Sequence, residues 1–507
     1  MTETKTKQGF FNRFLNAVEF IGNKLPNPFM LFVYLTLIVM LASWLMSSQG
    51  LSVVHPGKGE VLPIKNLISG EGVEYMLTSL LKNFTGFAPL GLVLVMMMGI
   101  GLTEKVGLFD YAIRRSIMRS PPALLTYSIA FVGIMGNIAS DAAMLLIPPI
   151  AAMVFYKVGR HPLAGLAVGY AASSAGFTAN LFIAGTDALL AGISTQAAKI
   201  VDTNIEVTPV ANWYFNIASV FMLTLLAGFI TTRIIEPRLG RYEGEEVHVE
   251  IEEDSPKAPK ALRNACIAGL MYIVFFTVAI VMEGSILRNP DFSLTPQPLF
   301  LKGIIPILFG FFLIVGVTYG ITIGKIKSSN DMVNYMSESV RDLAGYIVLI
   351  FVIAQFIAFF TWSNIGTWIA VNGASFLKDI NFTGIELIIA YIIFTASLNF
   401  MITSGSAKWA LEAPVFIPMF MALGYNPGFV QAAYRIADSS TNIITPLMPY
   451  MVIILTFMQK YDKRAGIGTL ISLMLPYSLI FLASWIVLIL IFFYLGIPFG
   501  PGVGAHL

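Results

Sequence analysis

The sequence predicts an all-α polytopic membrane protein with about nine transmembrane helices, two re-entrant hairpins and an inverted-topology repeat. Three observations support this fold class. Of 507 residues, 56% are hydrophobic and 12% are charged, whereas a soluble protein carries about 25% charged residues. Apolar runs of about 20 residues, the length that crosses a bilayer, recur along the chain. Two further apolar runs are too long for one crossing and are interrupted by polar residues near their middle.

The predicted crossings follow from the apolar runs in chain order. They are residues 28–48, 86–103, 163–186, 212–233, 264–283, 302–324, 344–362, 427–457 and 466–496. The longer runs, 122–157 and 383–424, contain GNIASD (Gly136–Asp141) and TSGSAK (Thr403–Lys408). We expect both to dip into the membrane and return, because most of the 31 Lys and Arg residues then lie in the cytoplasm.

An internal repeat organises the chain. A shift of 265 residues brings Pro149 onto Pro414, Gly159 onto Gly424 and Pro162 onto Pro427. The predicted segments are a cytoplasmic N-terminus (1–27), a first span with an external segment (28–85), repeat 1 (86–235), a cytoplasmic acidic loop (236–263), scaffold spans (264–343), repeat 2 (344–496) and an external C-terminus (497–507). The two hairpins enter from opposite sides, so the repeats are inverted.

The architecture favours transport over other functions. Inverted repeats with interrupted helices are typical of secondary transporters, whose sites lie near the bilayer midplane. Breaks are predicted at the two hairpin tips, at Ala172–Asn180 and at Ala437–Asn442, with Pro446 ending the last of these helices. A single cysteine and four scattered histidines predict no metal centre, no cofactor and no catalytic constellation. A membrane-embedded enzyme and a channel remain distant alternatives, and the expected partners are lipid and a small molecule rather than nucleic acid.

Charged residues inside predicted spans are the first candidates for a site, because placing them there is costly. Arg435 and Asp438 are i,i+3 neighbours and are expected to pair, with Arg435 holding a substrate carboxylate and Asp438 exchanging a proton. Asp187 is a second proton-carrier candidate. Lys408 and Glu412, at i,i+4, are expected to neutralise each other. A structural ion pair is the competing interpretation of the Arg435–Asp438 couple.

Neutral groups near the breaks complete the predicted site. Trp409 follows the second tip and is expected either to stack on an aromatic substrate or to pack the hairpin. Oxygen and amide groups for a substrate or for Na⁺ come from Asn180, Asn442, Ser404, Ser406, Ser439, Ser440 and Thr441. A Na⁺ position is considered near Asp141, Ser440 and Thr441, although Asp141 is equally suited to capping a helix.

Several long motifs in the same order resemble the p-aminobenzoyl-glutamate transporter (AbgT) family. They are SDAAMLLIPP, VGRHPLAGL, GFTANL, SGSAKWALEAPVFIPMFMALGYNP and YRIADSSTNIITPLMP, and the resemblance extends over essentially the whole chain. It implies a homodimer in the bacterial inner membrane, with substrates such as p-aminobenzoyl-glutamate and related folate-pathway compounds. It also implies proton-driven export of sulfonamide antimetabolites in some members. The family's important residues fall on Asp187, Asn399, Trp409, Pro427, Arg435 and Asp438; the chemistry of Lys408 is not carried over from the family.

The coupling ion is left open by the residues themselves. Titratable Asp187 and Asp438 favour H⁺, whereas the hydroxyl- and amide-rich breaks would also suit Na⁺-coupled import of a carboxylate. We therefore expect a secondary transporter of aromatic carboxylates, proton-coupled on the first interpretation and sodium-coupled on the second.

Overall fold

The computed structural model describes residues 26–55, 59–139, 142–244, 255–294 and 297–507, and most of these residues are helical. The predicted all-α polytopic fold is confirmed. One small exception was not predicted: Ser52–Val54 (β1) and Val61–Pro63 (β2) form an antiparallel hairpin after the first span. The predicted cation position at Asp141 lies outside the described residues.

The helices of the first half of the chain follow in order. They are α1 Pro28–Ser48, α2 Gly70–Thr85, α3 Ala88–Lys105, α4 Leu108–Met118, α5 Leu125–Met135, a 3₁₀ turn Gly136–Ala139, α6 Ala142–Lys157, α7 Pro162–Tyr170, a π turn Ala171–Ala175, α8 Gly185–Ala198, α9 Trp213–Ile230, a π turn Thr231–Ile235 and α10 Glu236–Leu239.

The second half continues after the acidic loop. Its helices are α11 Ala258–Val281, α12 Leu299–Lys302, α13 Ile304–Ile323, α14 Ser329–Asp342, α15 Ala344–Trp362, α16 Ile365–Asp379, α17 Ile385–Leu398, α18 Gly405–Met421, α19 Pro427–Thr441, a 3₁₀ turn Asn442–Ile444, α20 Pro449–Gln459 and α21 Ile467–Leu495.

Seven of the described helices are long and apolar enough to cross a membrane, and up to nine spans result if each of two bent pairs is one span. One bent pair, Pro427–Ile444 with Pro449–Gln459, matches the predicted broken span 427–457 and bends by 41°. Within the predicted crossing 163–186, helical structure ends at Ala175 and resumes only at Gly185. Amphipathic helices α2, α4, α14 and α16 were missed, because their polar faces interrupt the apolar runs that indicate spans.

The two repeats share the same order of elements. Each has a long helix (α3, α15), an amphipathic helix (α4, α16), a helical hairpin (α5–α6, α17–α18), a broken helix (α7–α8, α19–α20) and a final span (α9, α21). The paired helices α7 and α19 both begin with proline, where the missing N–H costs nothing. Each is also capped by a side chain: His161 Nδ1 accepts from Leu163 N (3.2 Å), and Asn426 Oδ1 accepts from Gly428 N (2.9 Å).

The chain reverses before each broken helix at a glycine in the left-handed region. Gly159 has φ +75° and Gly424 has φ +91°, a conformation that disfavours any residue with a Cβ. Their equivalence explains why both glycines fell into the sequence repeat. A glycine in the left-handed conformation therefore ends both hairpins.

The two helix breaks meet in the centre of the described fold. The π turn after α7 packs against the 3₁₀ turn after α19, and α8 packs against both α3 and α18. Across the contact, the Thr178 and Ser439 hydroxyls are 2.7 Å apart and share a hydrogen bond. Thr178 and Ser439 belong to different repeats, so the repeat interface itself carries the polar break residues.

Candidate functional site

A cavity of about 460 Å³ lies where the two hairpin tips and the two helix breaks converge. Hairpin 1 contributes Asn137, and the hairpin 2 tip contributes Thr403 to Ser406. The breaks contribute Thr178 and Asn442. Apolar and aromatic walls come from Val93, Met97, Met144, Phe177, Leu189, Leu190, Leu343, Tyr346, Met448, Pro449 and Tyr450. Described residues of both hairpin tips therefore line one shared cavity.

The second tip presents the start of a helix to this cavity. Residues 399–404 are not helical, and α18 begins at Gly405 with the Ser404 hydroxyl accepting from Ala407 N at 3.4 Å. The break thus lies earlier in the chain than the predicted Thr403–Lys408, since Ser406 and Lys408 already lie in the first turn of α18. Backbone N–H groups at a helix N-terminus favour a negatively charged ligand.

Asp438 is the charged side chain on the described cavity wall, and its partner is Lys408. Lys408 Nζ and Asp438 Oδ1 are 2.7 Å apart, with Lys408 fully buried behind the wall. The predicted pairing of Asp438 with Arg435 is wrong. Although the two residues are neighbours along α19, the lysine of α18 reaches Asp438 from the facing hairpin.

Arg435 forms its ion pair with Asp187 instead. Arg435 Nη2 lies 2.6 Å from Asp187 Oδ1, and both side chains are about 2% exposed. Asp187 also accepts from Ala184 N (2.7 Å) and from Asn216 Nδ2 (3.4 Å). The carboxylate is therefore fixed at the start of α8. Neither residue lines the cavity, and Arg435 Nε and Nη1 have no hydrogen-bond partner among the described residues.

Glu412 does not neutralise Lys408 as predicted. Its Oε2 accepts from the Thr395 hydroxyl (2.7 Å) and the Tyr391 hydroxyl (2.9 Å), both on α17, and its side chain is buried. The lysine one turn earlier is engaged by Asp438. The interhelical contact between α17 and α18 thus competes successfully with the i,i+4 pairing along α18.

Trp409 is fully buried beside the cavity rather than in its wall. Its ring lies on Tyr434, with centroids 4.4 Å apart, and its indole N–H donates to Ser194 Oγ (3.1 Å) and Leu190 O (3.2 Å). Of its two predicted roles, packing of the hairpin is the one this geometry provides. The indole turns towards α8 because helix α18 has already begun.

A buried polar chain continues from this tryptophan to the start of α19. Ser194 Oγ donates to Gln431 Oε1 (2.6 Å), Gln431 Nε2 donates to Asn212 Oδ1 (2.7 Å), and Asn212 Nδ2 donates to Gly428 O (2.7 Å). These residues were missed from the sequence. The only available signal was a polar amide in an apolar stretch, which does not reveal its partners.

The remaining predicted residues divide between the cavity and its supports. Ser404, Ser406 and Asn442 line the cavity, whereas Asn180 and Asn399 do not. Asn399 Nδ2 donates to Ala437 O (3.0 Å) and Asp438 O (2.8 Å). The Asn399 amide therefore supports the end of α19, where the backbone leaves the helix.

The hydroxyls considered for Na⁺ are used within α19. Ser440 Oγ donates to Ile436 O (2.7 Å), and Thr441 Oγ1 donates to Ala437 O (3.2 Å) and accepts from Asn399. Over the described part of the chain, no group of three or more His, Cys, Asp or Glu residues could hold a metal ion.

The two prolines take different positions in the broken helix. Pro427 is the first residue of α19, whereas Pro446 lies between the 3₁₀ turn Asn442–Ile444 and the start of α20 at Pro449. A proline lacks the N–H that would continue the helix. Pro446 therefore separates the two helical halves at the cavity, and Pro427 starts the first half at its far end.

Comparisons with known proteins agree on one family. The model of the AbgT putative transporter family matches residues 13–507. The p-aminobenzoyl-glutamate transport protein of Escherichia coli is 40% identical over 491 residues, which is 97% of this chain and 96% of the relative. The crystal structure of the Alcanivorax borkumensis YdaH transporter matches with TM-score 0.90 and 38% identity, covering 94% of this chain and all of that one. Neisseria gonorrhoeae MtrF, described as illuminating a class of antimetabolite efflux pumps, matches with TM-score 0.91 and 42% identity over 97% of this chain and all of its own.

Proposed function

Because this chain belongs to the AbgT family of transporters, we propose that it carries p-aminobenzoyl-glutamate or a related aromatic carboxylate across the bacterial inner membrane. The E. coli relative is a p-aminobenzoyl-glutamate transport protein by name. The observation that carries the proposal is the cavity between the hairpin tips. Its volume of about 460 Å³ lies within the range of about 300–1,000 Å³ typical of small-molecule sites.

The cavity offers matching chemistry for both ends of such a substrate. Aromatic rings of Phe177, Tyr346 and Tyr450 line the cavity and can stack on an aminobenzoyl ring. The start of α18, at Ser404 to Ser406, also lines it and favours a carboxylate. In this arrangement the stacking role predicted for Trp409 passes to the cavity rings, while Trp409 supports the cavity wall at Leu190.

The cation for the substrate carboxylate is Lys408 in this proposal, in place of the predicted Arg435. A carboxylate that reaches Lys408 must displace Asp438, which faces the cavity and already holds the lysine. The displaced Asp438 then lies near a second negative charge and favours the protonated form. Substrate binding and proton uptake at Asp438 thus support each other, which by itself gives symport.

Export is the second candidate function, favoured by the 42% identity to MtrF and its description as an antimetabolite efflux pump. Exchange of substrate for protons requires that the substrate and the proton compete for the same binding site. A substrate without a carboxylate, such as a sulfonamide, leaves Lys408 paired and would compete with the proton elsewhere in the cavity. The coupling ion is H⁺ in both cases, and the functional unit is a homodimer.

Transport in proteoliposomes tests the proposal. We expect labelled p-aminobenzoyl-glutamate to show counterflow, and a pH gradient to drive net flux when a Na⁺ gradient does not. Asp438→Asn should keep counterflow and lose the response to the pH gradient. The matched control is Asp379→Asn, an exposed aspartate at the end of α16. Flux that follows the Na⁺ gradient alone, or an unchanged pH response in Asp438→Asn, would contradict proton coupling at Asp438.

A further inference from the structure

Among the described residues, five buried acidic or basic side chains lie around the cavity, and their charges do not balance. Three are carboxyls and two are cations: Asp187, Glu412 and Asp438 against Lys408 and Arg435. Arg435 and Asp187 form one neutral pair at 2.6 Å. The single charge of Lys408 is left for two carboxyls, and its 2.7 Å contact assigns it to Asp438. Glu412 therefore has no cation of its own within this group.

Within the part of the chain that the structure describes, the surroundings of Glu412 supply no other positive charge. On α17 it meets Tyr391 and Thr395, and on its own helix the nearest cation is Lys408. On α19 the charged groups are Arg435 and Asp438, and both are already paired. The Tyr434 hydroxyl on the same helix is neutral and donates to Gly405 O.

The other described helices that pack on α18 also offer Glu412 no unpaired cation. On α8 the facing charge is Asp187, which is paired with Arg435. On α16 the cation is Lys378, an exposed residue that reaches Ala422 O at the opposite end of α18. Among the described residues, Glu412 thus has only neutral hydroxyls and a lysine held by another carboxylate.

An ionised carboxylate in this position would be buried without a counter-charge, which is strongly unfavourable in a membrane-embedded interior. The hydrogen bonds fit a neutral acid equally well. Tyr391 can donate to Oε2 while a proton on that oxygen is donated to Thr395 Oγ1, whose hydroxyl is free to turn to a backbone carbonyl of its own helix. Glu412 Oε1 has no hydrogen-bond partner among the described residues. Leaving an oxygen without a donor costs more free energy for a charged carboxylate than for the carbonyl of a neutral acid.

We propose that Glu412 is a second proton-binding residue of this transporter, protonated while Lys408 is paired with Asp438. Lys408 and Glu412 are neighbours at i,i+4, so the lysine has an alternative carboxyl within reach when Asp438 releases it. If Lys408 turns to Glu412, Glu412 loses its proton and Asp438 gains one. The three groups then keep one shared proton and no net charge in both arrangements.

Paired double variants distinguish the two carboxyls by thermal unfolding of the purified protein at neutral pH. Lys408→Met/Asp438→Asn leaves Glu412, which the proposal makes neutral, and should restore most of the melting temperature lost in Lys408→Met. Lys408→Met/Glu412→Gln leaves Asp438 without its cation and should restore less. The opposite order would overturn the proposal. This comparison involves no substrate, so it stands or falls independently of the proposed function.

Infrared spectroscopy tests the proton directly in the intact protein. The wild-type protein should show the C=O stretch of a buried protonated carboxyl, and Glu412→Gln should remove it. Glu386→Gln, a change of an exposed glutamate at the start of the neighbouring α17, is the control and should leave the band in place. A wild-type spectrum without a band that depends on Glu412 would refute the proposal, even if both variants fold.

Discussion

Helix α19 carries two buried ion-paired residues one turn apart, and their surroundings differ. Asp438 faces the cavity and pairs with Lys408 of the hairpin tip. Arg435 faces away from the cavity and pairs with Asp187 at the start of α8. Asp187 is also held by a backbone N–H and by Asn216. The difference indicates that one pair is built to exchange partners and the other to stay closed.

This contrast bears on how the site can move. A pair at a water-accessible wall can be replaced by a substrate anion or a proton at modest cost. A sealed pair can open only if both charges are left unsolvated. We therefore expect Arg435–Asp187 to persist through transport as a link between α8 and α19, while Lys408–Asp438 changes.

Removal of the Arg435 charge should have the largest effect on the stability of the protein. Arg435→Met leaves Asp187 buried without its counter-charge, and loss of one partner of a buried pair destabilises a protein by about 3–5 kcal/mol. Thermal unfolding in detergent measures the change. The double variant Arg435→Met/Asp187→Asn should recover much of the loss, because no unpaired charge remains.

The Lys408–Asp438 pair at the cavity wall provides the matched comparison. Asp438→Asn should lower the melting temperature less than Arg435→Met, because Lys408 can turn to Glu412 or to water in the cavity. An Arg435→Met protein that unfolds like wild type and fails only to bind a carboxylate would reverse the comparison. Arg435 would then be the substrate's cation in another conformation.

Trp409 links the two pairs, since it follows Lys408 and its ring lies on Tyr434, the neighbour of Arg435. Trp409→Phe keeps an aromatic ring but leaves Leu190 O and Ser194 without the indole N–H. A buried group left unsatisfied costs about 1–3 kcal/mol. We expect a lower melting temperature with unchanged affinity for substrate in the folded fraction, measured by binding to purified protein. A weakened affinity at wild-type stability would instead make Trp409 a substrate contact.

Thr178→Val tests the hydrogen bond that joins the two helix breaks. Valine keeps the shape and removes one of the two hydroxyls that are 2.7 Å apart, and a typical hydrogen bond contributes about 0.5–1.5 kcal/mol. The expected loss of unfolding free energy is therefore smaller than for Trp409→Phe. The double variant Thr178→Val/Ser439→Ala should be no less stable than Thr178→Val alone, because no unpaired hydroxyl remains there. Additive losses would show that each hydroxyl has a separate partner.

The sequence predicted the regions in which the chain breaks but not which charges meet. The break predicted at Ala437–Asn442 begins only at Asn442, because the preceding residues are still helical. Apolar runs, glycines and prolines are local signals, so the hairpins and the break at Pro446 could be read directly. Arg435 and Asp438 were paired because they are neighbours along one helix. Their actual partners, Asp187 and Lys408, come from distant segments, and only packing of α19 against α8 and α18 selects them.

The same lack of packing information explains why the environment of Trp409 and the aromatic rings of the cavity wall were not predicted. Trp409 was placed beside a tip, but α18 starts at Gly405 and rotates the indole towards Leu190. Phe177, Tyr346 and Tyr450 were not predicted as site residues, because the period of an apolar helix does not distinguish a cavity wall from a packed face. Amphipathic α4 and α16 lack the long apolar runs that indicate spans in the sequence.

The smallest predicted effect concerns the helix caps, where the two repeats differ by one titratable group. His161 caps α7 through a neutral Nδ1, as Asn426 caps α19. Burial lowers the pKa of His161, while Asp462 and Glu236 raise it by a smaller amount. Because the folded state holds this proton less tightly than the unfolded chain, its contribution to stability is complete above the ordinary value of about 6.5 and is lost as the pH falls through and below that value. His161→Asn copies the cap of the second repeat and removes the titration.

We expect melting temperatures measured between neutral and mildly acidic pH to fall less steeply in His161→Asn than in the wild-type protein. Parallel pH profiles would show that the proton of His161 does not contribute to the stability of this turn.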